Sequence, residues 1–251
     1  RIPQEIADLA WDVLQRKALL GYDQPPKITG RGSDNGTIDS QATLARSNAG
    51  LLVSAIEQLV EKKNINCLYF EGNFESYTYA DKNGSVWDIL NLHQRKKRFI
   101  KNALLKSMKD MDQLKKYAEE ANDVPLRGLI EIVLKFTDDL PMLVQTIRKA
   151  QVDDQDRIHA DMIFSTVHKA KGMEYDQVKL VNDFMTEESL KEILEDNKQE
   201  KLDKTRLGEE INLLYVGVTR AKKIIELPSE LYEEEAPDDF PLGQENFQRY
   251  E

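Results

Sequence analysis

The sequence predicts an α/β fold in which a parallel sheet is interrupted by an inserted run of helices. Short apolar runs typical of buried strands occur near both ends of the chain, and residues between them show helical spacing. Residues 86–150 show only helical spacing. A strand, a helix and a second strand in succession are typical of parallel pairing through a crossover helix. We therefore expect a discontinuous sheet domain, residues 1–85 and 153–251, with a helical subdomain at residues 86–152.

The chain opens with a predicted helix over residues 3–17, where Pro3 suits the first helical turn and the apolar residues recur at helical spacing. Residues 20–41 contain several glycines and prolines, which predicts a loop. An edge strand is expected within that loop near Lys27–Thr29.

Two strands are expected next, at residues 42–46 and 66–70, where short apolar runs stand between polar stretches. A helix lies between them, and Ser47 or Asn48 is the expected capping residue, because both side chains accept backbone hydrogen bonds. The helical stretch that follows is punctuated by Asp123-Val124-Pro125 and Asp139-Leu140-Pro141.

The α/β pattern returns after residue 152. Strands are expected at residues 162–167, 176–181 and 224–227, and a helix at residues 209–219. Residues 186–206 are polar and are expected to be helical or mobile. The acidic tail after Leu231 is expected to be poorly ordered.

Composition narrows the classes of protein and of site. The 251 residues carry a net charge of −10, which by itself argues against general nucleic-acid affinity, although the acidic residues concentrate late in the chain. The single cysteine, Cys67, excludes an internal disulfide and a cysteine-cluster metal site, and we expect no metal site. A single cysteine is typical of proteins in a reducing compartment, cytoplasmic or nuclear. No apolar run is long enough for a membrane span, and the start at Arg1 without Met suggests a fragment.

Three segments carry a family resemblance. Residues 165–176, STVHKAKGMEYD, resemble motif V of UvrD/Rep-type superfamily 1 DNA helicases, and residues 209–222, EEINLLYVGVTRAK, resemble motif VI. Residues 45–49, ARSNA, are similar to a further segment, R-T-N-A, of that family. The departures are Ser47 for Thr, Met173 for Leu, Tyr175 for Trp or Phe, and Asn212 for Arg. Residues 69–72 and 88–92 look more like the F-box DNA helicase branch.

The resemblance implies a fold, a cofactor and a nucleotide site. The chain would be the second RecA-like motor domain, binding ATP with Mg²⁺ together with an N-terminal motor domain that it lacks. Arg220 resembles an arginine finger, and Arg1 would be a second one; the alternative for Arg220 is a helix-end cation that complements the helix dipole. Glu174 resembles the acid that reaches the nucleotide ribose, with a surface carboxylate as the alternative, and Gly172 would let the backbone approach the nucleotide.

The resemblance also implies a track for single-stranded DNA and for junctions between single and double strands. Hydroxyl, imidazole and amide groups grip phosphates without reading base identity. The residues expected to contact the strand are Thr166, His168, Lys169, Arg46 and Asn48, with helix capping as the alternative for Asn48. The densest basic run, Arg95–Arg98, is either a solvated helix face or a contact with duplex DNA.

No phosphate-binding loop, G-x-x-x-x-G-K-[ST], occurs in the sequence. By the resemblance, an upstream motor domain supplies it, movement runs 3′ to 5′, and this chain alone hydrolyses no ATP. The protein would work in the cytoplasm, on the nucleoid if bacterial. A helicase–nuclease subunit, or a non-catalytic binding module that kept the fold, are the alternative functions.

Overall fold

The computed structural model describes residues 2–32, 36–61, 65–72, 74–80, 84–121, 123–196, 202–231 and 247–250. The chain forms two compact units. Unit 1 comprises Arg1–Arg46 and Asp161–Glu251, and unit 2 comprises Ser47–Ala160. These units divide the chain differently from the predicted boundaries at residues 85 and 153, and those boundaries stay a prediction.

Unit 1 contains five strands that are parallel to one another, in the order β5-β1-β6-β7-β8. The strands are β1 (Gln41–Ala45), β5 (Met162–Thr166), β6 (Tyr175–Leu180), β7 (Ala221–Pro228) and β8 (Phe247–Tyr250). Its α-helices are α1 (Gln4–Gln15), α9 (Glu187–Asp196) and α10 (Lys204–Val218). Short 3₁₀ turns cover Arg16–Leu20 and Ser229–Leu231.

The central strands of this sheet are buried on both faces. Every residue of β5 is buried, and so are four of the five residues of β1. Strands covered on both faces by helices have continuous apolar sequences, which explains the short apolar runs. The prediction of an α/β fold with a parallel sheet flanked by helices is confirmed.

Helix α10 runs antiparallel to the strands that it covers. It ends at Val218, and β7 begins three residues later at Ala221. Its C-terminus therefore lies at the edge of the sheet where the strands begin, here called the amino edge. The opposite edge, where β1 and β5 end, is called the carboxyl edge.

Unit 2 is mainly helical. Its α-helices are α2 (Asn48–Glu61), α3 (Glu75–Thr78), α4 (Val86–His93), α5 (Ala103–Ser107), α6 (Met111–Glu120), α7 (Val124–Phe136) and α8 (Leu140–Ala150). Its strands are β2 (Leu68–Phe70) and an antiparallel pair, β3 (Tyr79–Ala80) and β4 (Gly84–Ser85). Further 3₁₀ turns cover Lys97–Phe99, Thr137–Asp139 and Arg157–His159.

Polar caps define where several of these helices begin. The side chains of Ser85, Asn102, Asp110 and Asp123 each accept a hydrogen bond from a backbone amide in the first turn of the helix that follows. Such caps satisfy amides that have no partner inside the helix. Because the caps and the apolar spacing agree, helices recur across residues 86–150, as the spacing predicts.

The predicted edge strand near Lys27–Thr29 is wrong, because that segment is not a strand. It lies instead against helix α1: the Gly30 amide donates to Gln4 Oε1 at 2.9 Å, and Trp11 Nε1 donates to the Pro25 carbonyl at 3.1 Å. A Cβ at Gly30 would come within 2.5 Å of the Gln4 backbone, so only glycine fits this approach.

Several expectations fall on parts of the chain that the structure does not describe. The predicted disorder covers the whole tail after Leu231 and is wrong for residues 247–250, which form strand β8 beside β7; residues 232–246 and 251 lie outside the described residues, and so does Arg1. Strand β8, at residues 247–250, was not predicted from the sequence. Within the described ranges, no helix combines the length and the apolar character that crossing a membrane requires.

Candidate functional site

Motifs V and VI meet at the amino edge of the sheet. Tyr175 and Ala221 are register partners at the start of β6 and β7, and the Tyr175 amide donates to the Arg220 carbonyl at 2.9 Å. Glu174 and Arg220 each immediately precede one of these paired residues. The fold therefore brings together the two residues expected at the nucleotide from positions 46 apart in sequence.

The Arg220 guanidinium is held by neutral oxygens. Nε donates to the Val216 carbonyl at 3.0 Å, and Nη1 donates to the Met173 carbonyl at 2.9 Å. Nη2 donates to Thr219 Oγ1 at 3.2 Å. The bond to Val216 is the helix-end interaction named as the alternative role, and the bond to Met173 orients the group across motif V. No carboxylate within the described residues pairs with Arg220, so its charge is not compensated there.

Gly172 and Glu174 occupy the turn between β5 and β6. Gly172 has a φ of 92°, a left-handed conformation that favours glycine, and a Cβ at this position would meet nothing within 4 Å. The turn is closed by the Met173 amide, which donates to the Ala170 carbonyl at 2.9 Å. Glu174 is exposed at the end of the turn. Backbone at Gly172 is thus open to approach by another molecule.

Asp176, a residue that was not singled out from the sequence, fastens this edge. Its Oδ2 accepts hydrogen bonds from the amides of Asp39 and Ser40 at 3.0 and 3.1 Å, and its Oδ1 pairs with Lys222 at 2.9 Å and Lys223 at 3.4 Å. Burial alone would raise the pKa of Asp176, but the hydrogen bonds from Lys222 and Asp39 and the charges of both lysines lower it to about 2. The ionised carboxylate therefore joins motif V, the end of motif VI and the segment before β1.

The carboxyl edge carries three residues expected at DNA. Thr166 ends β5 and is only 5% exposed, and its carbonyl accepts the amides of Lys169 and Ala170 at 3.0 and 2.9 Å. His168 and Lys169 are exposed on the turn that follows. Neighbouring atoms partly desolvate the Lys169 ammonium group, which lowers its pKa. The turn therefore presents two side chains outward, while Thr166 holds its backbone.

Arg46, the next residue expected at DNA, is bound to two acidic side chains of the same unit. Its guanidinium donates to the Glu210 carboxylate on α10, with Nε at 2.9 Å and Nη2 at 2.5 Å from the acceptor oxygens. Its backbone amide donates to Asp183 Oδ1 at 2.8 Å. The hydrogen bond to Glu210 is the main reason that the pKa of Arg46 is raised, and the charges of Glu210 and Asp183 add to it. Direct contact between Arg46 and DNA stays a prediction.

Asn48 belongs to unit 2, where α2 begins. The capping bond comes from Ser47, whose Oγ accepts the Gly50 amide at 2.9 Å, whereas Asn48 Nδ2 donates to the Ser76 carbonyl at 3.2 Å. Of the two capping residues expected, Ser47 is the one that caps. Asn48 is exposed, and its DNA contact stays a prediction.

A glycine allows the motif VI helix to pack closely on motif V. A Cβ on Gly217 would lie 3.2 Å from Leu180 Cδ2 and 3.3 Å from Val167 Cγ2, tighter than ordinary van der Waals contact. Val167 and Leu180 are fully buried. A larger residue at position 217 would therefore force α10 away from these two buried side chains.

The residues that the sequence reasoning missed hold the expected ones in place. Asp176 and Glu210 stood inside the two motifs but carried no assigned role, and Asp183 stood outside them. Asp39 and Ser40, which bind Asp176, and Arg46, which binds the other two, lie more than 130 residues from these partners in sequence, a separation that periodicity does not reveal. Within the described residues, no group of His, Cys, Asp or Glu side chains is arranged to hold a metal ion.

Comparison with known proteins places this geometry in a family. Residues 26–227 match the family model described as the UvrD-like helicase C-terminal domain. The chain is 31% identical to F-box DNA helicase 1 of Gallus gallus over 84% of this chain and 21% of that protein. It is 34% identical to F-box DNA helicase protein 1 of Schizosaccharomyces pombe over 35% of this chain and 10% of that protein.

The chain thus spans about a fifth of the length of the Gallus gallus relative. The resemblance to the F-box DNA helicase branch, predicted from residues 69–72 and 88–92, is confirmed by these two relatives. The family match includes both long motifs and strands β1, β5 and β6 with nearly all of β7, whereas β8 lies beyond it. The chain belongs to the family of UvrD-like helicase C-terminal domains.

Proposed function

We propose that this chain is the C-terminal part of an ATP-dependent DNA helicase that moves 3′ to 5′ along one strand. One observation carries the proposal: Arg220, with no carboxylate partner among the described residues, lies beside Glu174 at the amino edge of the sheet. The relatives that it matches are named DNA helicases, which supports the same reading.

Arg220 would stabilise the charge that develops on the γ-phosphate. When bound, ATP with Mg²⁺ supplies the phosphoryl group and its leaving group. A guanidinium is always charged and directs several N–H donors at phosphate oxygens, and neutral carbonyl partners leave that charge available. The contacts to Val216 and Met173 fix the direction of the group beforehand, so little reorganisation is required during the reaction.

Glu174 would accept hydrogen bonds from the ribose hydroxyls, and Gly172 would let backbone approach the nucleotide. Arg1 would be a second finger, and it lies outside the described residues. The rest of the nucleotide site would belong to an N-terminal motor domain with a phosphate-binding loop. On this proposal the chain alone hydrolyses no ATP.

His168 and Lys169 would bind phosphates of single-stranded DNA at the carboxyl edge, with Thr166 shaping the turn. Asn48 would add a contact from unit 2. Single-stranded DNA and strand junctions are the proposed partners. The proposed location is the cytoplasm, on the nucleoid if the protein is bacterial.

Arg46 would couple the two edges of the sheet through α10. The helix carries Glu210, which binds Arg46, and it ends two residues before Arg220. At a rise of about 1.5 Å per residue, the eight steps from Glu210 to the helix end at Val218 extend about 12 Å. A change at the phosphate that moves Arg220 would therefore shift the Arg46 region as well.

The test uses the full-length protein, with the upstream motor domain present. Arg220→Lys keeps the positive charge but loses the fork of donors, and we expect DNA-stimulated ATP turnover to fall by about 10³-fold or more, with DNA binding unchanged. Arg206→Lys, on the exposed face of the same helix, is the matched control and should leave turnover within about twofold.

Equal turnover in the Arg220→Lys protein and its control would refute the proposed finger. Loss of DNA binding together with turnover would point to a structural role instead. A full-length protein without ATP-dependent unwinding would favour the non-catalytic module, and nuclease activity would favour the helicase–nuclease.

A further inference from the structure

Unit 2 exposes a dense cluster of cations that the proposed ATP and strand contacts do not use. Residues 95–109 contain seven basic side chains and no acidic one, although the whole chain has a net charge of −10. All seven are exposed. They are Arg95, Lys96, Lys97, Arg98, Lys101, Lys106 and Lys109.

These cations differ from Lys135 and Arg148 in the same unit. Lys135 pairs with Glu57, and Arg148 pairs with Glu75, so each of those charges is compensated internally. In the part of the chain that the structure describes, no carboxylate pairs with any of the seven. An uncompensated group of like charges costs self-repulsion unless an external anion binds to it.

The backbone beneath the cluster is firmly held. Asp88 is 5% exposed, and its two carboxylate oxygens accept the amides of Lys101 and Asn102 at 2.9 and 3.0 Å. Ile100 is buried at 3% exposure and anchors the middle of the segment. The cations are therefore presented from an ordered loop, which lowers the entropy lost when a ligand binds.

Arg95 gives a further indication that folding alone does not explain the segment. It has a φ of 59°, a left-handed conformation that glycine or asparagine adopts at lower cost. Its side chain is exposed and makes no ion pair within the described residues. The arginine therefore adds positive charge at a position where the backbone favours other residues.

Phe99 adds an aromatic surface at the centre of the cluster. Its ring is 52% exposed, and the guanidinium carbon of Arg98 lies 4.6 Å from the ring centroid. Cations that follow a backbone, interleaved with an exposed aromatic ring, are the combination that binds single-stranded nucleic acid through phosphate contacts and base stacking.

We propose that residues 95–109 form a second nucleic-acid-binding surface, in which the cations hold successive phosphates and Phe99 stacks on an unpaired base. The inference goes beyond the proposed function, because the surface lies on unit 2 and requires neither the ATP site nor the turn at His168.

The experiment measures binding of the 251-residue chain to a fluorescent single-stranded oligonucleotide and to a blunt duplex, over a range of salt concentrations. The triple variant K96Q/K97Q/R98Q should bind the single strand about tenfold or more weakly. The slope of log K against log salt should fall by about 2, since each lost phosphate contact contributes about 0.7.

The matched control, K115Q/K116Q/K149Q, removes the same charge from the same unit outside the cluster. It should change the affinity by about twofold or less, because net charge alone carries little of the binding. Phe99→Ala should weaken single-strand binding about fivefold or more and leave duplex binding unchanged. Circular dichroism and thermal melting verify that each variant is folded.

Equal losses of single-strand affinity in the two triple variants would overturn the inference. So would the absence of measurable oligonucleotide binding by the unaltered chain at low salt. A loss of binding to anionic lipid vesicles, with nucleic-acid binding intact, would assign the surface to membranes and also overturn it. If Phe99→Ala weakens binding to the duplex and to the single strand equally, the proposed base stacking is refuted. The variant His168→Ala tests the proposed strand contact separately. If the triple variant weakens DNA binding and His168→Ala does not, the second surface is supported and the proposed role of His168 is refuted.

Discussion

Two arginines at opposite edges of the sheet in unit 1 have opposite electrostatic surroundings. Arg220, at the amino edge, donates only to neutral oxygens, those of Val216, Met173 and Thr219. At the carboxyl edge, the Arg46 guanidinium donates to the carboxylate of Glu210, and the Arg46 backbone amide donates to that of Asp183. The first arrangement leaves positive charge for an external anion, and the second uses it to hold the fold together. A motif match alone gives both residues the same kind of role, and the partners distinguish them.

The largest effect on stability is expected at Asp176, which fastens the edge where Arg220 lies. Asp176→Ala leaves the amides of Asp39 and Ser40 and two lysines without their acceptor, so we expect a loss of about 2–4 kcal/mol in the free energy of unfolding. Urea denaturation of the chain measures it. Glu188→Ala, at an exposed site on α9, is the control and should change stability by about 0.5 kcal/mol or less. A similar small change at Asp176 would contradict the assigned role.

The pairing of Arg46 with Glu210 is tested by a double-mutant cycle. Arg46→Gln, Glu210→Gln and the combined variant should show a coupling free energy of about 1–3 kcal/mol, because both side chains are largely buried and their hydrogen bonds are charge-assisted. The exposed pair Lys116–Glu120 is the control, with an expected coupling of about 0.3–0.5 kcal/mol. Similar coupling in both pairs would remove the contrast between Arg46 and Arg220.

The pH dependence of stability follows from the same carboxylate of Asp176. Its pKa is lowered from 3.8 to about 2 in the folded chain, so the stabilisation is complete above about pH 4 and is lost as pH falls toward 2. Between these values the unaltered chain should lose about 1–2 kcal/mol more than Asp176→Asn. The measurement is the melting temperature of each protein across that pH range. If the melting temperatures of the two proteins fall equally with pH, the prediction is contradicted.

The smallest effect is expected at Gly172, on the turn that joins the two edges. Gly172→Ala should cost about 1 kcal/mol, because the φ of 92° strains an alanine although its Cβ meets no atom within 4 Å. Chemical denaturation of the variant measures the change. A loss well above that value would mean that the turn is packed more tightly than its open surroundings indicate.

Strands β1 and β5 were predictable because each is a short run in which almost every residue is buried, and β6 and β7 because apolar residues recur along them. The motifs placed Arg220 and Glu174 near each other. Strand β8 was not predictable, since its four residues, Phe247–Tyr250, form no apolar run. The partners of Arg46, and the amides of Asp39 and Ser40 that bind Asp176, were hidden by distance in sequence: 164 residues separate Arg46 from Glu210. Pairing over such a separation is decided by sheet order and helix placement, which local periodicity does not encode.

Helix α10 has a mechanical consequence that follows from its length. Its 15 residues extend about 22 Å, and Gly217 keeps it pressed on Val167 and Leu180. A hydrogen-bonded helix hardly shortens under load, so an axial displacement is shared along the whole rod. An axial displacement of Glu210 would therefore be transmitted to Val218, the last residue of the helix, two residues before Arg220.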